Sequence, residues 1–167
     1  ENGHTELMLV IFAQIIMLIS FLMFNFPKAK MFLGDGGSYL FGVLLALNII
    51  KTNNLNAEIS SFFFCVLLFY LFFEVFFSFF RKIYLSKSPL KPDNNHLHML
   101  SYRWLNKPQK FKDCNYLNSL MINLIYLVLI SPSIYFRNNG LFCKYWFFSL
   151  LAIYIITYLR LYSFTKK

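Results

Sequence analysis

The sequence has few charged residues, only 14% of the chain, whereas 58% of its residues are hydrophobic. This scarcity of charge excludes an intrinsically disordered segment, which needs high charge and low hydrophobicity. It also argues against an ordinary soluble domain, in which about 25% of residues are charged and about 45–50% are apolar. Because 21% of the residues are aromatic and the mean hydropathy is +0.54, the composition indicates a chain that folds in a lipid bilayer.

Cysteine is also scarce. The chain has three cysteines, at Cys65, Cys114 and Cys143, and they are far apart in the sequence. Their odd number and wide spacing argue against a disulfide framework and against a cysteine-based zinc cluster.

Long apolar runs predict an all-α integral membrane protein, with residues 1–167 as a single transmembrane domain and about five transmembrane helices. A backbone inside lipid must satisfy its own hydrogen bonds, so each long run is most simply a helix. The second run is short for a span, so its helix either begins at membrane depth or includes the preceding glycine-rich stretch. The predicted helices cover residues 7–24, 39–50, 59–80, 116–134 and 141–159.

The basic residues are distributed unevenly between the connecting segments. Thirteen of the sixteen lie in the predicted loops at residues 27–38 and 81–115 or at the C-terminus. By the positive-inside rule these segments are cytoplasmic and the N-terminus is outside the cell membrane. The net charge of +9 therefore needs no nucleic-acid partner. Lys28 and Lys30 are either flanking charges of this kind or contacts for a phosphate group.

The first candidate site is the glycine-rich stretch from Phe32 to Ser38, which precedes a predicted helix and contains Asp35. A glycine such as Gly36 allows a ligand to approach the backbone closely, and a helix N-terminus favours phosphate. A carboxylate there would repel phosphate unless a divalent cation lay between them, and Mg²⁺ is usually held in this way. The stretch predicts a catalytic site in which Asp35 holds Mg²⁺, or Mn²⁺, and in which Gly36 and Ser38 contact a diphosphate substrate. Alternatively Asp35 or Ser38 is only an N-cap.

The second candidate site is the segment from Ser88 to Leu100, which contains two histidines two residues apart, His96 and His98. In an extended loop they would share a face. Their spacing is not that of a helical zinc site, so zinc is not expected. Histidine can bind or protonate a phosphoryl oxygen, so His96 and His98 are candidate catalytic residues. Asp93 and Asn94, beside them, are assigned to substrate binding. The alternative is a solvated loop with incidental histidines.

Glu74 lies inside the third apolar run. A carboxylate in a membrane helix is costly and usually faces a cavity or a partner. We expect Glu74 either to support the cation site or to form an internal ion pair or hydrogen bond, for example an ion pair with Arg81 or Lys82. A transporter or channel that uses Glu74 as its ion site is a third reading.

Taken together, these segments resemble a known family. The stretch from Asn25 to Ser38 resembles the cytoplasmic signature of the polyprenyl-phosphate N-acetylhexosamine-1-phosphate transferases, glycosyltransferase family 4. The stretch from Ser88 to His98 is similar to the family's later histidine loop, and Glu74 stands where the family typically has Asp. The resemblance covers the whole chain and corresponds to the C-terminal half of such an enzyme, part of a larger polytopic helical bundle.

The resemblance implies transfer of a sugar 1-phosphate from a UDP-N-acetylhexosamine to a polyprenyl (undecaprenyl) phosphate, with release of UMP. It implies that Asp35 is a Mg²⁺ ligand and that His96 and His98 contact the phosphates or the uridine. The product would enter a cell-wall or surface polysaccharide such as peptidoglycan or lipopolysaccharide. The sequence does not indicate the sugar, the pathway or the oligomeric state.

Several positions depart from the family pattern. Met99 stands where many members have a third histidine, and Asn94 where many have arginine. The family's paired aspartates would precede Glu1, so we expect this stretch alone to be inactive. The alternative is a catalytically inactive, truncated membrane remnant or pseudo-enzyme.

Overall fold

The computed structural model describes residues 2–89, 91–107 and 114–166. These residues form helices joined by short connections, and no β-strand occurs among them. The prediction of an all-α fold is therefore confirmed. The helices are α1 Asn2–Asn25, α2 Gly34–Leu55, α3 Ser61–Leu67, α4 Phe69–Tyr84, α5 Leu97–Asn106, α6 Cys114–Tyr135 and α7 Gly140–Lys166.

Three helices are long and apolar enough to cross a membrane, counted within the described ranges: Gly3–Asn25, Cys114–Tyr135 and Gly140–Thr165. The bent pair α3 and α4 adds a fourth span if the two are counted together. About five membrane-spanning helices were expected. The second of them, in α2, is not among the helices that are long and apolar enough. The large apolar side chains along these helices are widely exposed, as expected for surfaces that face lipid.

The chain divides into two compact units, Glu1–Ser60 and Ser61–Lys167. In the first unit α1 and α2 run antiparallel. A Cβ atom on Gly3, near the start of α1, would lie 3.4 Å from Leu55 Cδ2 at the end of α2. Further along, the Asn48 amide donates a hydrogen bond to Gln14 Oε1. A polar pair between apolar helices of this kind fixes their alignment.

In the second unit the expected helix at residues 59–80 is broken at Leu68, where α3 and α4 meet at a bend of 71°. No proline or glycine lies at the break. The Tyr126 hydroxyl of α6 donates to the Leu67 carbonyl oxygen at 2.6 Å and lies 3.2 Å from that of Val66. A side chain from another helix therefore satisfies backbone groups that the break removes from the helical pattern.

Helix α7 is the centre of the second unit. Asn139 begins it, since its Oδ1 accepts a hydrogen bond from the Phe142 N–H at 3.0 Å. The Trp146 indole ties α7 to α6 by donating to the Leu129 carbonyl oxygen at 2.9 Å. The buried cluster draws on α3 to α7 and comprises Val66, Phe69, Leu100, Ile130, Leu150, Tyr154 and Tyr158.

Both expected loops contain helical residues. Helix α2 begins at Gly34 rather than at residue 39, so the glycine-rich stretch forms its first turns. The expected loop at 81–115 contains α5 and the start of α6, and its residues 90 and 108–113 lie outside the described residues. The two segments singled out for chemistry therefore each lie at a helix N-terminus.

Candidate active site

Asp35 lies in the first turn of α2, directly after Gly34. Gly34 has a φ of +69°, a conformation that glycine adopts readily and other residues rarely adopt. The N-cap residue is Leu33, so neither Asp35 nor Ser38 is the N-cap. Among the described residues, no hydrogen bond or ion pair engages the exposed Asp35 carboxylate. The carboxylate is therefore accessible to a ligand at a helix end that favours anions.

The glycines that follow Asp35 differ in what surrounds them. A Cβ atom on Gly37 would lie 2.7 Å from Leu33 Cγ, whereas a Cβ on Gly36 would meet no atom within 4 Å. A side chain at position 37 would therefore require the Leu33 side chain to shift, whereas one at position 36 would not. The space beside Gly36 is open to a ligand. The Ser38 hydroxyl donates to the Gly34 carbonyl oxygen at 2.8 Å, and its contact with substrate stays a prediction.

The loop before α2 is held by Asn25. The Asn25 Oδ1 atom accepts hydrogen bonds from the backbone N–H groups of Lys30 at 3.0 Å and Met31 at 2.8 Å. Lys28 and Lys30 are both exposed. Their contact with phosphate stays a prediction. The hydrogen bonds to Asn25 come from backbone N–H groups and do not involve the ammonium groups of Lys28 and Lys30.

Glu74 is the buried polar centre of the second unit, with an exposure of 9%. Its Oε1 atom lies 3.0 Å from His96 Nδ1 and accepts a hydrogen bond from the Leu97 N–H at 3.0 Å. Its Oε2 atom accepts a hydrogen bond from the Tyr154 hydroxyl at 2.6 Å. Glu74 thus links α4, the start of α5 and α7. A carboxylate at the N-terminus of α5 is also stabilised by that helix's dipole.

The two histidines come together at the start of α5. His96 is the N-cap residue, with an extended backbone, and His98 lies in the first turn. Their rings stack with centroids 5.6 Å apart and planes 14° apart. The sequence predicted a shared face in an extended loop; a cap followed by a helix produces the juxtaposition instead.

His98 has an altered affinity for protons. Partial burial lowers the pKa of His98 below its ordinary 6.5; the Glu74 carboxylate opposes this effect and His96 adds to it. His98 is therefore mainly neutral at pH 7. A neutral imidazole beside a second histidine can accept a proton or a hydrogen bond from a ligand.

Arg81 does not pair with Glu74, so that expectation was wrong; its partner is Asp93. Arg81 lies two helical turns from Glu74, about 10.5 Å along the axis. Its guanidinium group instead reaches Asp93, which lies closer. Asp93 also accepts a hydrogen bond from the Asn95 N–H at 3.1 Å, so it organises the loop, and its contact with substrate stays a prediction. The Arg81 guanidinium donates to Asp93 Oδ2, Tyr158 Oη, the Asn95 carbonyl at 2.8 Å and Ser78 Oγ at 3.1 Å.

Lys82 also ties the loop to α4 rather than pairing with Glu74. Its Nζ donates to the carbonyl oxygens of Pro89 at 3.0 Å and Lys91 at 2.7 Å. Asn94, in the same loop, is exposed. Beside the loop lies a cavity of about 400 Å³ whose lining includes Lys82, Ser86, Lys87, Ser88, Lys91 and Asp93.

Sequence reasoning missed Tyr154 and Tyr158. Both lie in an apolar helix, in a chain with eleven tyrosines, so no sequence signal sets them apart. Their hydroxyl groups are nevertheless placed on Glu74 and Arg81. Their spacing of four residues, which puts them on one face of α7, becomes informative only once these partners are known.

The donor atoms can be compared with what a metal requires. Within residues 2–89, 91–107 and 114–166, no group of three or more His, Cys, Asp or Glu side chains could hold a metal ion. Mg²⁺ makes a smaller demand, because it keeps several waters and uses one or two carboxylates together with phosphate oxygens. The unpaired carboxylate of Asp35 fits a Mg²⁺ ion that a phosphate ligand shares.

Comparison with known proteins gives two matches. Residues 1–53 match the model of glycosyl transferase family 4. Over 136 residues the chain is 30% identical to the undecaprenyl-phosphate alpha-N-acetylglucosaminyl 1-phosphate transferase of Thermotoga maritima. The match covers 81% of this chain and 40% of that relative, so the chain spans less than half of the relative's length. No solved structure matches the chain significantly.

Proposed function

We propose that the protein is a member of glycosyl transferase family 4 that transfers a sugar 1-phosphate to polyprenyl phosphate, a proposal supported by the match of residues 1–53 and by the 30% identity to the Thermotoga maritima relative. The donor in this proposal is a UDP-N-acetylhexosamine and the second product is UMP. A phosphate oxygen of the lipid attacks the β-phosphorus of the donor, and the bond between that phosphorus and the UMP oxygen breaks. The apolar helices and the membrane-enzyme relative support a multi-pass membrane protein.

The observation that carries the proposal is the unpaired Asp35 carboxylate at the start of α2. A diphosphate needs positive charge or N–H donors, and both are expected there: the helix N-terminus, Lys28 and Lys30. Bound Mg²⁺ would neutralise charge on the diphosphate and on the departing UMP. In the proposal Asp35 binds that ion, with Mn²⁺ as the alternative, and the open side of Gly36 admits the phosphates.

The histidine pair supplies the second part of the proposal. His96 and His98 contact the donor's phosphates or uridine, and the neutral His98 accepts a hydrogen bond. Asp93 and Asn94 complete the loop that borders the substrate. The excess of basic residues in the loops on one side supports a cytoplasmic location for this chemistry, at the cell membrane.

The experiment is UMP release by membranes that contain the complete protein. The assay supplies polyprenyl phosphate, Mg²⁺ and a panel of UDP-N-acetylhexosamines, and compares wild type with Asp35→Asn. We expect release from wild type that requires Mg²⁺ and vanishes in Asp35→Asn, because the amide is a poor Mg²⁺ ligand.

The matched control is Glu58→Gln, which neutralises another exposed carboxylate of the first unit. It should release UMP at the wild-type rate. No release from well-expressed wild type with every donor tried would reject the transferase and favour the inactive remnant. Full activity in Asp35→Asn would reject the assigned role of Asp35.

A further inference from the structure

Three hydrogen-bond donors converge on the two oxygen atoms of Glu74. Tyr154 Oη lies 2.6 Å from Oε2, and both the Leu97 N–H and His96 Nδ1 lie 3.0 Å from Oε1. The Leu97 N–H can only donate, and a carboxylate whose oxygens both accept satisfies all three groups. If all three groups are satisfied in this way, His96 Nδ1 carries the proton of its contact with Glu74.

The surroundings hold this arrangement in place. Glu74 is 9% and Tyr154 5% exposed, so neither side chain has much freedom to move. The Tyr154 ring packs edge-on against Phe73 and Phe77, with centroids 4.9 and 5.3 Å away. The His96 side chain, in contrast, is 27% exposed. Tyr154 and Glu74 therefore form the buried part of this chain of hydrogen bonds, and the His96 imidazole forms its exposed part.

We propose that Tyr154 and Glu74 act as positioning residues that keep His96 protonated at Nδ1 and present Nε2 to the substrate. In the neutral imidazole only one nitrogen carries the proton, so fixing it on Nδ1 leaves Nε2 as the acceptor.

Tyr154 has a distinct part in this arrangement. Its hydroxyl holds Oε2 and so fixes the plane of the carboxylate in which Oε1 faces His96 and Leu97. Without that bond the plane can tilt about the remaining contacts at Oε1, and the direction of the hydrogen bond to His96 is less well fixed. Outer partners of this kind, when they orient a functional histidine, typically contribute 10–100-fold, a range established for metal-binding histidines.

The first test reads the tautomer directly and does not depend on activity. The complete protein is labelled with ¹⁵N-histidine, and the His96 signals are identified as those missing from His96→Gln. We expect wild type to carry the neutral-state proton on Nδ1, and Tyr154→Phe to show a mixture of both tautomers. A wild-type proton on Nε2, or an unchanged pattern in Tyr154→Phe, would overturn the proposal.

The second test is kinetic and rests on the proposed transferase activity. We expect Tyr154→Phe to lower kcat on the order of tenfold with KM for the UDP-sugar changed by less than about threefold. The matched control is Tyr126→Phe, which also removes one hydroxyl from the core of the second unit but has no contact with Glu74 among the described residues.

Tyr126→Phe should lower thermal stability, because it removes the hydrogen bond to the Leu67 carbonyl oxygen, while keeping kcat near that of wild type. Equal losses of kcat in the two variants would reduce Tyr154 to a merely structural role and overturn the proposal. If wild type releases no UMP, the transferase proposal fails, and the tautomer measurement still decides whether Tyr154 and Glu74 position His96.

Discussion

Replacing Arg81 with methionine should destabilise the second unit strongly. The change keeps most of the side chain's apolar length but removes the guanidinium that binds Asp93, Tyr158 and the Asn95 carbonyl oxygen. The side chains of Arg81 and Asp93 are only 11% and 16% exposed. The variant therefore leaves a mostly buried carboxylate without its partner.

The magnitude follows from that burial. Removing one partner of a fully buried ion pair costs about 3–5 kcal/mol, and the remaining exposure brings the expectation to about 3 kcal/mol here. Asp93→Asn keeps an acceptor for the Asn95 N–H and should cost about 1.5 kcal/mol. The double variant should cost about 3 kcal/mol rather than about 4.5, because the second change breaks a contact that is already lost.

The assay is the free energy of unfolding of the purified complete protein in mixed micelles, titrated with a denaturing detergent and followed by circular dichroism. Arg103→Met is the control, since Arg103 is an exposed arginine of α5. It should change stability by less than about 0.5 kcal/mol. Additive losses in the double variant, or an Arg81→Met loss no larger than that of Arg103→Met, would refute the reasoning.

Two further predictions concern the helix N-termini. Gly34→Ala should cost about 1 kcal/mol in free energy of unfolding because φ is +69°, whereas Gly36→Ala should leave stability unchanged or raise it by up to about 1 kcal/mol, and should lower UMP release by filling open space. A stable, fully active Gly36→Ala would contradict the ligand's approach there. Because the pKa of His98 is lowered, the unfolded chain binds the extra proton more readily. The thermal midpoint should therefore fall as the pH drops through 6.5 and below, and His98→Gln should flatten that dependence; parallel pH curves would refute it.

The apolar runs predicted α1, α6 and α7 well, because length and hydropathy alone determine a membrane helix. The break at Leu68 could not be predicted in the same way. It coincides with the hydroxyl of Tyr126, a residue 58 positions away, and not with a proline or glycine. Tertiary contacts of this kind leave no local pattern in the sequence.

The roles assigned to the candidate site residues stay predictions, but their surroundings can be compared with what the sequence suggested. The sequence indicated Asp35, Glu74 and the histidine pair as candidates, because charged or glycine-rich segments are rare in an apolar chain. It misassigned the partner of Glu74, since sequence spacing favours contacts along one helix over contacts with a loop that folds back. It also gave no reason to choose Tyr154 among the tyrosines.

The position of α7 has a consequence for biosynthesis. Tyr154 and Tyr158 come from the last helix of this chain, yet they complete the hydrogen bonds of Glu74 and Arg81 that hold the histidine loop. The ribosome synthesises α7 after all the residues whose hydrogen bonds α7 completes. The loop therefore reaches its final geometry only after α7 has entered the membrane, so a chain that stops before residue 154 would insert its earlier helices and still lack an ordered histidine pair.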